Sequence, residues 1–281
     1  MSKNKKIRTV QASYKTRAVL LKITPTKLVS LFLLALGLIA LAFSIIYTSS
    51  ILASIGLGLT FWGTVTLYIA SEKYVKQTLL NSTIIPSLSN LNQILTELGY
   101  QGKAVYLPPK YLKDPETSKV YIPKNKNTRL PTPEEIQQQE DKTFLKNPEA
   151  ALITPLGLSL SKLFEKTLGT TFTKVDLEYL QQNLPKLFIE DLEIAENLEI
   201  RAEDDVTKST TIQVKITNSI YDGVCKEART LTHICGSIGC PICSAIACAL
   251  AKATGKPITI DKEEQSQDGK TTRIQYHMVE A

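Results

Sequence analysis

The alternation of hydrophobic and polar positions changes character along the chain, and each change marks a different kind of element. Residues 28–47, "LVSLFLLALGLIALAFSIIY", and 51–70, "ILASIGLGLTFWGTVTLYIA", are two uncharged runs separated only by "TSS". Each run would make about 30 Å of α-helix, which matches the hydrocarbon thickness of a bilayer. Helices are required there because lipid offers no partner to an unpaired backbone group. The short connection predicts an antiparallel two-helix transmembrane hairpin over 28–72. A cleaved signal peptide would have a shorter apolar core and a small-residue cleavage site. No Asp, Glu, Lys, Arg or His interrupts either run, so the pair reads as an anchor rather than a transport path. Ser30, Gly37, Ala40 and Ser44 on the first span, with Gly56, Thr60 and Thr64 on the second, offer small surfaces for close packing. Trp62 falls near mid-span.

Helical periodicity continues beyond the spans. Over residues 73–123, Leu88, Leu91, Ile94, Leu95 and Leu98 form a stripe with Pro86 as its break or first-turn residue and Gly99 as its stop. "KAVYLPP" and "KVYIP" read as short strands closed by prolines. Residues 124–149 are polar and punctuated by proline, which predicts a linker, disordered in part. Apolar order returns over 150–281. Leu156, Leu160, Leu163, Phe164 and Leu168 make a helix ended by Gly169. A second helix begins near Thr173, with Thr173 and Asp176 as a variant capping box and Pro185 as an interruption. Period-two segments follow: "NLEIRAED", "TTIQVKITN", "PITIDKEE" and "TTRIQYHMV", with turns at 204–208 and at Asp268–Gly269. The expected fold is therefore an α+β cytoplasmic domain with an antiparallel sheet, preceded by the hairpin.

Charge changes this picture in one respect. The formal net charge is +6, yet residues 1–27 carry eight Lys and Arg and no acid, leaving a slight negative balance elsewhere. The tail is a cytoplasmic flank by the positive-inside rule, which places the N-terminus and the C-terminal domain in the cytoplasm and residues 28–70 in the cell membrane. The soluble part has no cationic excess to neutralise phosphates, so nucleic acid is not an expected partner.

The chain's candidate chemistry lies in "THICGSIGCPICSAIACALAKATG", preceded by Cys225. Three readings compete. A metal site, zinc being the candidate, would draw on Cys225, His233, Cys235, Cys240 and Cys243, because Cys240-Pro-Ile-Cys243 has the spacing that lets two thiolates share one ion. The only second pair, His233-Ile-Cys235, is too close for the usual knuckle. A redox reading notes that Pro241 suits a first helical position, which puts Cys240 at a helix start where a thiol's pKa falls. The packing reading starts from Ile242, Ala245, Ile246, Ala249, Leu250 and Ala253, which keep strict helical spacing up to Gly255; Cys243 and Cys248 then serve as small apolar residues and only Cys240 is exposed. Packing is favoured, with no metal or other cofactor. The acidic pairs Glu134–Glu135, Asp204–Asp205 and Glu263–Glu264 read as solvated charge.

The helix from 243 to 253, "GKPITI" at 255–260 and the strand to Met278 resemble the end of 4-vinyl-reductase-type domains, small α+β ligand-binding modules related in fold to subunits of a vesicle-tethering complex. Where such domains carry a further cysteine before the last strand, this chain has "QDGKTTRI". The two spans with "VYLPP" and "LITPLGLSLSKLFEKTLG" look similar to uncharacterised archaeal membrane proteins. The anchor, the small-residue helix and the missing catalytic constellation favour a membrane-anchored cytoplasmic module, sensory or scaffolding, that binds a small apolar ligand or a protein partner without catalysis, with clustering into a homo-oligomer through the spans and the leucine-rich helix 87–98 as a further expectation. Two histidines and the absence of P-loop, nucleophile-elbow, dinucleotide and zincin motifs agree with a non-enzymatic role. The alternative is a cysteine-based metal or thiol-redox sensor.

Overall fold

The first uncharged run forms helix α1 (Pro25–Tyr47) and the second forms α2 (Ser50–Ser71) in the computed structural model, which describes residues 25–71, 77–204 and 210–279. The basic tail before residue 25 and the turn at 205–208 lie outside the described residues. Only Thr48 and Ser49 connect the two helices, and both helices are long and apolar enough to cross a membrane. Their seam is built where the small residues predicted it, with one exchange. A Cβ on Gly37 would sit 2.6 Å from Thr60 Cγ2, and one on Gly56 would sit 2.9 Å from the backbone nitrogen of Leu41. Thr64 is exposed instead, and its expected place is taken by Gly63 against Leu34. Trp62 is exposed on the outer surface of the pair, as a lipid-facing residue would be.

Residues 76–281 form a second unit. Helix α3 (Gln77–Glu97) opens it and runs through Pro86 without breaking. Its Leu88 and Leu95 are buried, while Ile94 and Leu98 of the same predicted stripe face solvent. Eight strands follow in one antiparallel sheet: β1 (Val105–Tyr106), β2 (Val120–Pro123), β3 (Phe144–Lys146), β4 (Glu149–Ile153), β5 (Asn197–Asp204), β6 (Thr210–Thr217), β7 (Ile258–Gln265) and β8 (Thr271–Met278). Their spatial order is β3-β4-β2-β1-β7-β8-β6-β5.

The sheet explains why residues 124–149 are not a linker. Tyr106, Val120, Ile122 and Ala151 join the main core, whereas their alternating neighbours Val105, Tyr121, Ala150 and Leu152 face a second, smaller core on the other side. That second core needs a cover. Helix α4 (Pro133–Gln137), capped by a Thr132–Glu135 box, supplies Ile136, and β3 supplies Leu145. Both side chains are buried, so a stretch with few apolar residues is ordered by the two it buries. Strands β5, β6 and β8 instead keep one solvated face, where Glu199 pairs with Lys215 at 3.1 Å and with Arg201 at 2.9 Å.

Helix α5 (Leu158–Leu168) ends at Gly169 as its pattern predicts. Helix α6 (Leu177–Lys186) starts three residues later than the Thr173 signal: Asp176 is its N-cap and accepts from the Tyr179 N–H at 2.9 Å. Pro185 lies inside it, and the chain passes straight into a π-turn, Leu187–Asp191. Helix α7 (Asp222–Ala228) follows β6. Helix α8 (Pro241–Thr254) is the centre of the unit, packed by α5, α6, β1 and β7. Every residue from Pro241 to Lys252 is buried, not merely one stripe.

The hairpin seam yields a test. Gly37→Ala should destabilise the helix pair by about 1–3 kcal/mol through overpacking. Gly58→Ala, whose added methyl meets nothing within 4 Å, should be neutral or gain up to about 1 kcal/mol from helix propensity. Equilibrium unfolding of the full chain in mixed micelles compares them, and equal effects at both positions would refute the seam.

Candidate functional site

The N-terminus of α8 is placed by a chain segment with no regular alternative. A π-turn, Ile234–Ile238, leads into Gly239, whose φ of +79° is open to glycine at little cost. Cys240 then adopts an extended N-cap conformation and Pro241 opens the helix. A Cβ on Gly239 would fall 2.5 Å from Ile260 Cδ1 and 3.1 Å from Cys243 Cβ, so the segment is pressed against β7. Tyr106 donates its hydroxyl to the Ile238 carbonyl and Tyr276 donates to the Cys243 carbonyl at 3.0 Å, tying both ends of the CxxC loop to the sheet.

This placement brings three thiols into contact. Cys225 Sγ on α7 lies 2.7 Å from Cys240 Sγ, and Cys240 Sγ lies 3.3 Å from Cys243 Sγ. All three are buried, which corrects the expectation of an exposed Cys240: the helix start is enclosed by α7 and β7. Cys235, on the π-turn, is half-buried. It reaches the group through a carboxylate: Cys235 Sγ is 3.9 Å and Cys243 Sγ 3.7 Å from the same oxygen, Glu263 Oε2. His233 stands apart, with its backbone N–H donating to Asn92 Oδ1 on α3 at 3.0 Å. Cys248 lies farther along α8, where burial pushes its thiol up to about 12.

Glu263 is the residue that sequence reasoning misplaced. Its side chain is 1% exposed. Uninterrupted alternation from Ile258 and Ile260 would turn Lys262 and Glu264 inward and Glu263 out. A β-bulge between Ile260 and Lys262 resets the period, so Glu263 pairs opposite inward-facing Ile274. Burying a carboxylate demands a partner, and Arg229 supplies it. Its Nε donates to Glu263 Oε1 at 3.1 Å, its Nη1 to Gln265 Oε1 at 2.5 Å and its Nη2 to Thr272 Oγ1 at 3.1 Å. Nothing short-range in the sequence marks Arg229 or Glu263. The charged pair is visible only once β7 and the end of α7 are adjacent.

The electrostatics divide the sulfurs. Burial works against ionisation of Cys240, yet hydrogen bonding with the Cys225 and Cys243 thiols outweighs it, and the first-turn N–H groups of Cys243 and Ile242 add to the effect without forming a capping bond. Its thiol is held well below the ordinary range. Hydrogen bonding to Cys240 pushes Cys225 up. Hydrogen bonding to Cys225 and Cys240 pushes Cys243 up, with burial adding to it. Burial raises Cys235 to about 11, and Glu263 rises to about 7 through burial and then the Cys240 charge, opposed by Arg229. The group is one thiolate-favouring sulfur flanked by two protonated ones.

The sulfur spacings can be set against those of a zinc site. Two thiolates on one tetrahedral zinc, at bonds of about 2.3 Å, stand about 3.8 Å apart. Cys225 and Cys240, at 2.7 Å, stand nearer a disulfide's length of about 2.05 Å, and Cys240 and Cys243, at 3.3 Å, nearer the zinc spacing. Among the described residues no set of three or more His, Cys, Asp or Glu side chains is arranged to hold a metal ion. Space for a small apolar ligand is also scarce here. The cavity beside the cluster, lined by Ile216, Ser219, Asp222, Cys225, Ile242, Cys243 and Thr272, measures about 10 Å³, the room of one water molecule.

A family model described as "Domain of unknown function (DUF7982)" matches residues 4–277. Neither the curated proteins nor the solved structures contain a significant match.

The raised Glu263 pKa carries a stability signature. A carboxyl whose folded pKa lies above its unfolded value near 4.5 contributes stability that is full below about 4.5 and is lost as pH rises through about 7. Cys240, Cys243, Cys235, Cys225, Tyr276 and Arg229 all face this group, so the difference between variants isolates it. Glu263→Gln should flatten the decline between pH 4.5 and 7 by an amount on the order of 3 kcal/mol. Urea unfolding of the full chain in detergent at both ends of that window measures it; parallel pH profiles for wild type and variant would contradict a buried, proton-binding Glu263.

Proposed function

We propose that this chain, which belongs to the DUF7982 family, is a membrane-anchored thiol–disulfide sensor whose reactive group is Cys240 and whose partner thiol is Cys225. Helices α1 and α2 anchor it, the basic tail lies on the cytoplasmic face of the cell membrane, and residues 76–281 return to the cytoplasm. In that reducing compartment the resting form is the dithiol. The observation that carries the reading is the 2.7 Å contact between two buried sulfurs, one of which favours the thiolate. The thiolate is the nucleophile of disulfide exchange.

The reaction balances with a low-molecular-weight disulfide as oxidant: the two thiols of Cys225 and Cys240 are oxidised to one protein disulfide, and the small disulfide is reduced to two thiols. Closing the Cys225–Cys240 bond draws α7 toward the start of α8. Since α8 packs on α5, α6, β1 and β7, that shift is transmitted to the body of the unit. The signal is then read by a protein partner; the 10 Å³ cavity beside the cluster argues against a buried small-molecule ligand as the regulated species.

Equilibration of the purified full chain with glutathione redox buffers tests this. An intramolecular disulfide mapping to Cys225–Cys240 is expected within the range set by cytoplasmic and oxidised poises, roughly −300 to −180 mV. Cys240→Ser should abolish it and Cys248→Ala should not. Persistence of both thiols at the oxidising end would refute the sensor.

A further inference from the structure

A buried sulfur pair poses a problem of access. Cys225, Cys240 and Cys243 are each at most 3% exposed, and a glutathione-sized disulfide is far larger than the 10 Å³ cavity beside them. Cys235 is the one cysteine that is not buried. It sits on the Ile234–Ile238 π-turn, an irregular segment between α7 and α8, and its sulfur faces the same Glu263 oxygen as Cys243, at 3.9 Å against 3.7 Å. Glu263 is in turn fixed by Arg229, so a single carboxylate stands between the outer thiol and the inner three.

From this juxtaposition we infer that Cys235 is the outer thiol of a relay, which receives oxidising equivalents from a low-molecular-weight disulfide and passes them through Cys243 to the Cys225–Cys240 pair, with Glu263 accepting the proton of the attacking thiol. The inference rests on the sensor reading above. In the first step the Cys235 sulfur attacks one sulfur of the small disulfide. A mixed disulfide forms on Cys235, the S–H proton moves to Glu263, and the departing thiolate recovers it as the first free thiol. Cys243 then attacks Cys235, which makes a Cys235–Cys243 disulfide and releases the second small thiol. Exchange by Cys240 on Cys243, and by Cys225 on Cys240, returns Cys235 and Cys243 to thiols and leaves Cys225–Cys240 oxidised. Two protein sulfurs are oxidised and one small disulfide is reduced; because Cys240 starts as the thiolate, one proton is taken up from solvent, through Glu263, to restore Cys235 as a thiol.

A base is needed because the Cys235 thiol, pushed up to about 11, is almost wholly protonated at neutral pH. Glu263 lies beside it with a pKa of about 7, suited to accepting and returning a proton there. No such base touches an exposed sulfur elsewhere among the described cysteines.

The test uses the reduced full chain in detergent micelles mixed with glutathione disulfide, with the products trapped by acid and mapped by mass spectrometry. Cys235→Ser and Cys235→Ala should slow formation of the Cys225–Cys240 disulfide at least tenfold while leaving its redox midpoint in place, a split that a loss of folding would not produce. In Cys243→Ser, a glutathione adduct should accumulate on Cys235, and Glu263→Gln should slow that adduct's appearance. Oxidation of the Cys235 variants at the wild-type rate, or an adduct trapped on Cys240 instead, would overturn the relay while leaving the sensor standing. A wild-type chain that forms no disulfide at all would overturn both.

Discussion

A helix buried on every side is the constraint from which the rest of the soluble unit follows. Helix α8 can be enclosed by helices and sheet together only because most of its side chains are small: five alanines, two cysteines and a serine stand among its 14 residues. Close approach lets the Gly157 N–H donate to Ser244 Oγ at 3.0 Å, and it removes water from the helix between Pro241 and Lys252. Polar groups caught in that enclosure must find partners. Lys252 does so with Glu165 at 3.2 Å, both side chains nearly inaccessible, and Glu165 also accepts the Phe172 N–H.

The same enclosure gives the cysteines their chemistry. In water, a helix start alone would only lower the pKa of the thiol it holds. Within the core, α7 and α8 bring two of them to 2.7 Å and β7 places a carboxylate beside a third. Low dielectric strengthens these couplings, so one sulfur favours the thiolate while its neighbours hold their protons. Arg229 opposes the rise of Glu263 with its own charge. The helical spacing that reads as packing and the sulfur contacts have one cause, since tight packing is what brings the sulfurs together.

Much of the architecture was legible because it depends on local periodicity. The two apolar runs, the helix ended by Gly169, the strands over 197–204 and 210–217 with Ile212, Val214 and Ile216 inward, and the final hairpin all follow from residue spacing. What escaped depends on long-range pairing. Residues 124–149 carry few apolar side chains, yet Ile136 and Leu145 complete a second core that exists only because β1, β2 and β4 are buried on both faces. Pro86 and Pro185 stay inside their helices because tertiary packing outweighs one lost hydrogen bond at each.

By itself the sequence determined two lipid-length helices, an α+β unit with an antiparallel sheet, and a cysteine-bearing helix that starts at Pro241 and stops at Gly255, since hydrophobic period, proline and glycine act over a few residues. Only the tertiary structure decided which cysteines meet, that His233 is not among them, and that Glu263 rather than Glu264 turns inward. The reason is physical: a contact between α7, α8 and β7 is set by how three elements distant in the chain pack, and a single bulge between Ile260 and Lys262 reverses which side chain faces that contact.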